Sequence, residues 1–579
     1  MVSLLCMNKI WDLKSLEDEQ KSAELADLLH IPAVIGRILF LRNVKSYQEA
    51  RVFFRPTLED LHDPFLMNGM ETATKRIIDA ITSKEKIVIY GDYDVDGTCS
   101  TALLYMFLKK MEADVDYYIP NRLKEGYGVS FAGIDSAISS GASVLITVDC
   151  GITAVEETSY ANSKGLEVII CDHHQPKDKL PAALAVLDPL KPGCEYPFKY
   201  LSGAGVAFKL VQGICKRIGK KEIPMEYLDL VALAGAADIV PLNGENRILV
   251  KEGLNLVNTN PRPGIKALIE TSRLAEGKLT SGQVVFTIAP RINAVGRMSD
   301  AKTAVELLVT EDMKRATELA SVLEEENRQR RKIDEDTLFH AVDMLETEYG
   351  DNIPTTLVLH SQEWHPGVIG IVASRLVEKY YKPTIMLTTI DGVAKGSARS
   401  ISKFNIYEAL KECEDLLIHF GGHQAAAGLA VELDKVDEFR KKFNDIVEGK
   451  LNGMDVSPTI DIDAKISLDE LTPKFIRLVE QFAPFGPANM RPTFWIEDVT
   501  FKDNPRLVKE KHIIMTITKK GSDKVFDAVG FNMPEYYNLI LSGDKTFDLA
   551  FTIDQASNYG RNFVQLKIKD IKVKNRAAK

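Results

Sequence analysis

Between Lys84 and Pro189, short β-branched runs alternate with stretches of helical periodicity, which is the pattern of a parallel sheet with crossover helices. The runs are Ile87-Val88-Ile89, Val144-Leu145-Ile146-Thr147-Val148, Val168-Ile169-Ile170 and Ala185-Val186-Leu187. An acid follows each: Asp92, Asp149, Asp172 and Asp188 stand at or just past the expected strand ends. Ligands bind in the crevice beyond the carboxyl ends of such strands, so several carboxylates are delivered to one edge. From about Thr310 to Glu348 the chain lacks Gly and Pro and is densely charged, with Glu324-Glu325-Glu326 and Arg328-Gln329-Arg330-Arg331-Lys332. This predicts one long exposed helix, or two in line, connecting two lobes. A strand pattern resumes at Thr356-Leu357-Val358-Leu359, and a βα arrangement continues to about Gly449. Leu451 to Pro458 carries Gly and Pro and marks a boundary. Beyond it, alternating runs such as Ile513-Ile514-Met515-Thr516-Ile517 and Val564-Gln565-Leu566-Lys567-Ile568-Lys569 suit a small barrel of the OB type.

Composition narrows the function classes. The 579 residues exceed what one hydrophobic core supports, so several domains are expected. The net charge is −10, so no whole-protein positive field can draw the chain onto a polyanion. Any such site is local, or carried by metal ions. Arg561, Lys567, Lys569, Lys572, Lys574, Arg576 and Lys579 face one acid, Asp570, near the end; that composition reads equally as a solvated tail. The seven cysteines lie far apart and include no Cys-x-x-Cys pair, against both a disulfide framework and a zinc cage. Met1 to Lys14 shows no signal peptide, and no run approaches the ~20 apolar residues of a membrane helix. A soluble protein of the reducing cytoplasm is expected.

Four acid-bearing elements carry the chemistry. Gly91-Asp92-Tyr93-Asp94-Val95-Asp96-Gly97-Thr98 sets carboxylates at every second position between a strand and a helix. Like charges so close repel unless neutralised, which calls for cations. A calcium loop of the EF-hand kind does not fit, because a strand precedes the acids and the glycine directly follows the third. Thr147-Val148-Asp149-Cys150-Gly151 again places an acid after a strand, a position that by itself reads as a turn or cap. Ile169-Ile170-Cys171-Asp172-His173-His174 is sharper: adjacent imidazoles cannot both face one side of a strand, and burying both leaves nitrogens needing partners. Asp238, in Ala236-Ala237-Asp238-Ile239-Val240-Pro241, follows an apolar stretch and by itself reads as a helix-terminal acid. Carboxylates with neutral imidazole suit Mn or Mg better than zinc.

In this order the four elements resemble the DHH phosphoesterase superfamily, named for a sequence such as Asp172-His173-His174. The resemblance implies Asp94, Asp96, Asp149, His173 and Asp238 as ligands of two divalent cations, Mn or Mg. It gives Asp92 and His174 catalytic roles, with His174 facing the substrate phosphate; Asp172 would orient an imidazole. Two such cations about 3.5–4 Å apart would hold a phosphate and activate a water. Tyr90 stands where the pyrophosphatase branch has a histidine, which speaks against that branch.

Further on, Gly396-Ser397-Ala398-Arg399-Ser400 and Phe420-Gly421-Gly422-His423, followed by an alanine-rich run expected to start a helix, resemble the DHH-associated domain. Arg375, Ser397, Arg399 and His423 are thereby implied to hold a terminal or backbone phosphate, a task that suits the planar guanidinium fork. Pro290-Arg291-Ile292-Asn293-Ala294-Val295-Gly296-Arg297 also resembles the pattern of the superfamily's exonucleases, which implies Arg291, Asn293 and Arg297 as candidates for contacting DNA; pairing of these arginines with local acids is the alternative. Tyr93, Tyr127 and Phe131 are nearby aromatics without assigned roles.

The added N-terminal segment, long connector and C-terminal module resemble the superfamily's single-strand-specific 5′-to-3′ exonucleases, and Phe482-Ala483-Pro484-Phe485-Gly486-Pro487 looks like their entry into the OB module. The expected fold is α/β: a parallel-sheet DHH domain joined by a long helix to a DHH-associated α/β domain, plus a C-terminal OB-type β-barrel. The expected division is 1–65, a segment packing on the DHH domain; 66–305, the DHH domain; 306–350, the connecting helix; 351–450, the DHH-associated domain; and 455–579, the OB-type domain. The implied reaction is two-metal hydrolysis releasing 5′-mononucleotides from single-stranded DNA, in DNA repair and recombination. A monomer is expected, with a single-strand-binding protein and a helicase as partners. An enzyme of short oligonucleotides or cyclic dinucleotides, and a non-catalytic scaffold, are the competing readings.

Overall fold

The computed structural model describes residues 9–126, 128–220, 223–542, 546–558 and 561–574. Tyr127, Cys6, the apolar run before it, Arg576 and Lys579 lie outside the described residues. The chain divides into two compact units, Leu16–Asn327 with Pro473–Arg491, and Met1–Ser15 with Arg328–Thr472 and Pro492–Lys579.

The first unit is built on a parallel sheet of strands β1 (Lys86–Gly91), β2 (Val115–Tyr118), β3 (Ala142–Val148), β4 (Glu167–Cys171) and β5 (Ala185–Leu187), in the order β2-β1-β3-β4-β5. The chain runs from β1 to β2 on one side and then crosses to β3 on the other. Strand order therefore reverses between β1 and β3, and Asp92 and Asp149 follow those two strands at the switch point where such sheets bind ligands. Helix α1 (Val95–Lys110) is buried nearly all round, because it packs between the sheet and helices α2 (Gly203–Arg217) and α3 (Leu228–Ala237). One continuous core, including Ile87, Ile89, Leu103, Phe107, Phe208 and Leu230, holds these layers together. Strand β2 has no counterpart in the expected pattern: it is a four-residue edge strand with Asp116 exposed, too short to show alternation.

Helix α4 (Ala289–Met298) follows a short π-helical turn at Val284–Ile288. The expected connector is a single 37-residue helix, α5 (Met313–Tyr349), and the boundary between the units falls within it.

The second unit holds a mixed sheet of β6 (Leu357–His360), β7 (Thr384–Ile390), β8 (Val393–Arg399), β9 (Leu417–Gly422) and β10 (Ala426–Glu432), in the order β9-β10-β8-β7-β6, with helix α6 (Ile369–Tyr380) between β6 and β7. Its C-terminal module closes into the expected barrel. Strands Thr493–Phe501, Phe547–Asn558, Arg561–Val573, Phe526–Gly530 and His512–Lys519 pair in that order, and Val499–Phe501 pairs back onto Ile517–Lys519. Alternate side chains Ile513, Met515 and Ile517 fill its interior.

Two segments outside these sheets show how the compact units are tied together internally. Residues 19–65 do pack on the parallel-sheet unit, where buried Lys209 and Glu245 hold the backbone of His62 at 3.0 and 2.9 Å. Ile10–Leu13, however, pairs in parallel with Thr459–Ile462 of the other unit as a two-stranded sheet, since pairing supplies the backbone partners that each lone extended segment lacks. Pro473–Arg491, expected with the barrel, belongs to the parallel-sheet unit. Arg247 explains it: its buried guanidinium donates to the carbonyls of Gln481, Phe482 and Ala483 and to that of Phe53.

Candidate metal centre

Strand β1 ends at Gly91, and Asp92 follows fully buried, with one oxygen taking the Tyr93 amide at 2.8 Å. Asp94 caps α1 and accepts from the Gly97 amide at 3.0 Å, a local bond that satisfies one of the helix's orphan donors. Asp96 lies inside the first turn of α1, and both its oxygens are gripped by the start of α2: Gly203 N–H at 2.6 Å and Ala204 N–H at 2.7 Å. Gly203 is required there, because a Cβ would lie 2.7 Å from the side chain of Asp149. Asp149 itself follows β3 in a left-handed conformation, φ +61°, with its amide bonded to the Cys171 carbonyl.

After β4, buried Asp172 accepts from the amides of Ile152 (2.8 Å), His173 (2.8 Å) and His174 (3.2 Å), and its Oδ1 meets His174 Nδ1 at 2.7 Å. Asp172 thus orients an imidazole, as expected, and the one it orients is His174. Burial alone would raise Asp172, but the hydrogen bond and charge of His174 outweigh it and hold the carboxyl below its usual range. For His174, burial lowers and Asp172 raises, for a net rise to about 9. His173 is pushed down by burial, which favours neutral imidazole, the form that ligates metals. Its Nε2 lies 3.1 Å from Asp149 Oδ1, 3.5 Å from Asp238 Oδ2 and 3.8 Å from Asp96 Oδ2. Asp238 caps the C-terminus of α3, delivered to the site by that buried helix.

All seven acids and histidines predicted for the centre therefore meet. Ligand atoms of Asp92, Asp94 and Asp149 lie within 4.8 Å of one another, as do those of Asp96, His173 and Asp238, and those of Asp149, His173 and His174. Asp149 and His173 each belong to two of these groups. Asp149 Oδ1, His173 Nε2 and Asp238 Oδ2 are buried and have no hydrogen-bond partner among the described residues, with the imidazole nitrogen close to both oxygens. Buried polar atoms left so are costly unless a further group satisfies them. A hard divalent cation fits this oxygen-rich donor set. The acids repel one another in its absence: burial first and Asp94 second push Asp92 up to about 7, and burial also raises Asp96, Asp149 and Asp238.

In the second unit, Arg399 Nη1 donates to Ser397 Oγ at 2.9 Å, both on β8, and Arg375 on α6 pairs with Asp334 at 3.1 Å. His423 is exposed in the turn between β9 and β10. The register pairs Ala426 with Arg399, so that turn stands just beyond the end of β8. The alanine-rich run after Gly421-Gly422-His423 is a strand and not the expected helix. β10 is hydrogen-bonded on both edges, to β8 and β9, and its small side chains suit that central place better than their helix propensity would suggest. Gly422, at φ +150°, sits where a Cβ would meet the Ala426 carbonyl at 2.4 Å. No helix N-terminus is therefore offered to a phosphate at this turn.

Comparison with known proteins places this geometry in a lineage. Residues 86–235 match the DHH family, N-terminal domain; residues 354–449 match the DHHA1 domain, and residues 462–570 match the RecJ OB domain. The chain is 40% identical over 574 residues to the single-stranded-DNA-specific exonuclease RecJ of Bacillus subtilis, covering 98% of this chain and 72% of that one. It is 33% identical to the Escherichia coli protein of the same description, covering 95% and 97%. The chain belongs to the RecJ family. Among solved members of the RecJ family, the Thermus thermophilus RecJ in complex with Mn2+ superimposes with a TM-score of 0.83 at 28% identity, covering 98% of this chain and 80% of that one. An exonuclease RecJ bound to manganese gives 0.58 at 37% identity, covering 68% and 96%.

Against this RecJ framework, the strand-contact candidates on α4 divide. Arg291 is buried, with Nε on Glu324 at 2.5 Å and Nη1 on the Thr287 carbonyl, so the guanidinium serves the fold and is not presented to a strand. Pairing with a local acid, the alternative left open by the sequence, is what the structure has. Asn293 accepts from the Val95 amide at 3.0 Å and thereby caps α1 beside the acids. Arg297 is partly exposed near Tyr93. Two features went unread in the sequence. Arg122, 5.1 Å from the Tyr93 ring centre, brings a positive charge that partly offsets the rise of Asp92. Ser202-Gly203-Ala204-Gly205, a capping serine before small residues, was the available signal for the amide clamp on Asp96.

Proposed function

We propose that this chain is a metal-dependent exonuclease specific for single-stranded DNA that releases 5′-mononucleotides from a 5′ end. The observation that carries this reading is that the unpartnered, buried Asp149 Oδ1, His173 Nε2 and Asp238 Oδ2 belong to overlapping groups of acids and histidines able to hold metal ions. Near-full-length similarity to relatives described as single-stranded-DNA-specific exonucleases supports the substrate class. Asp94, Asp96, Asp149, His173 and Asp238 would hold two divalent cations, manganese or magnesium, which when bound supply positive charge to the phosphate and lower the pKa of the attacking water. Asp172 fixes His174 through Nδ1, so that Nε2 is the ring nitrogen for a phosphate oxygen. Asp92, buried directly after β1 with one oxygen on the Tyr93 amide, stands beside the ligands, where a carboxylate can orient the attacking water. Ser397 and Arg399, with Arg375 and His423, would hold backbone or terminal phosphate, and Asn293 and Arg297 would line the approach to the acids.

No described helix is long and apolar enough to cross a membrane. The role this reading implies is DNA repair and recombination in the cytoplasm, by a monomer working with a single-strand-binding protein and a helicase. The test is incubation with Mn and a long single strand labelled at either end, beside a duplex and a dinucleotide. Immediate release of a labelled mononucleotide from the 5′-labelled strand, with the duplex resistant, is expected. Release first from the 3′ label would overturn the polarity. Hydrolysis of the dinucleotide alone would favour a small-substrate enzyme, and no metal-dependent release a scaffold.

A further inference from the structure

Ile239, directly after Asp238, is unfavourable on two independent physical grounds. Helix α3 ends at Ala237, Asp238 caps it, and Ile239 takes the next position at φ +61°. Helices place glycine there, because a Cβ in the left-handed region crowds the carbonyl oxygen, and a β-branched side chain is the worst case. Among the described non-glycine residues with positive φ, Ile239 is the one that is β-branched. The side chain is also 74% exposed, so burial does not offset the strain. A glycine would remove both costs. Strained positions of this kind cluster where a ligand is held.

The surroundings say what the ligand is. Asp238, one residue away, turns Oδ2 into the metal centre. Asn246 Nδ2 donates to the carbonyls of both Pro241 and Tyr200, tying the loop after Asp238 to the loop before α2. Tyr200 is itself 55% exposed, and its loop leads into the Gly203 and Ala204 amides that clamp Asp96. Two exposed side chains thus stand on the loop after Asp238 and on the loop that leads into the amides clamping Asp96. A phosphodiester held at those acids carries a flat, largely apolar base within one nucleotide's reach.

We propose that Ile239 packs against the nucleobase of the nucleotide whose phosphate is held at the acid cluster. The proposal rests on the nuclease reading above. Contact with a base face is tolerant of sequence, as an exonuclease working through any strand requires. Ile239→Gly and Ile239→Val are compared with the unsubstituted chain, with Mn, on a single strand with ordinary 5′ nucleotides and on one whose first two 5′ nucleotides are abasic. Ile239→Gly is expected to lower kcat/KM about tenfold on the ordinary strand and by less than about twofold on the abasic one. Ile239→Val is expected to behave as the parent on both, and the melting temperature of Ile239→Gly to equal or exceed the parent's. An Ile239→Gly chain unchanged on the ordinary strand, or slowed equally on both, overturns the base contact while leaving the nuclease reading in place. Absence of Mn-dependent hydrolysis by the unsubstituted chain overturns both.

Discussion

The acid cluster after the parallel sheet and the Ser397/Arg399 site on the mixed sheet are both assigned to phosphate, yet they are built in opposite ways. The first is buried and over-determined: Asp96 is held by two helix amides, Asp172 by three amides and an imidazole, and Asp149 by a backbone turn that L-residues rarely adopt. The second is a partly exposed pair on a strand beside an exposed hairpin turn. Buried like charges need rigid placement, since small shifts alter strong interactions at low dielectric. A phosphate on the surface needs reach and charge more than rigidity. Chemistry should therefore be lost at the first site and affinity at the second.

The largest effect is expected from His173→Ala. It removes a nitrogen that lies within 3.8 Å of three carboxylates and should reduce Mn-dependent hydrolysis about a thousandfold or more, with the circular dichroism spectrum unchanged. Hydrolysis near the parent rate would break the assignment. Asp172→Asn comes next: it keeps the shape but weakens the bond that orients His174, and a roughly 10–100-fold loss of kcat with little change in KM is expected. A loss confined to KM would move Asp172 out of the chemistry. Arg399→Ala should act in the opposite sense, raising KM about tenfold while leaving kcat and Mn affinity near the parent's. A collapse of kcat there would erase the contrast between the two sites.

The smallest effect is on stability. The folded chain without metal holds the Asp92 proton up to about pH 7, whereas an unfolded aspartate releases it near 3.8. Stability linked to this group is full below the lower value and is lost as pH rises through the upper one. The melting temperature of chelator-treated protein should therefore fall between about pH 4 and 7, and saturating Mn should suppress that fall. A flat profile without metal would contradict the crowding of the acids.

The same contrast governs what could be read from the sequence. Asp92, Asp149 and Asp172 were legible because each follows a β-branched run, and strand-then-acid is a local pattern whose consequence at the sheet edge is general. The barrel was legible from alternation such as Ile513, Met515 and Ile517. Residues 423–427 were misread as a helix entry because alanine's propensity is intrinsic, whereas the central place of β10 depends on partners about 30 residues upstream in β8. Arg122, Gly203 and the Arg291–Glu324 pair depend on tertiary proximity alone, and no window of sequence contains both members. Ile239 lay inside a recognised motif, but its strain exists only in the backbone angle.

Diffraction from Mn-soaked crystals at the manganese absorption edge tests the central claim most directly. Two anomalous peaks about 4 Å apart are predicted, both among Asp94, Asp96, Asp149, His173 and Asp238. Peaks elsewhere on the chain, or none at these residues at saturating Mn, would contradict the account.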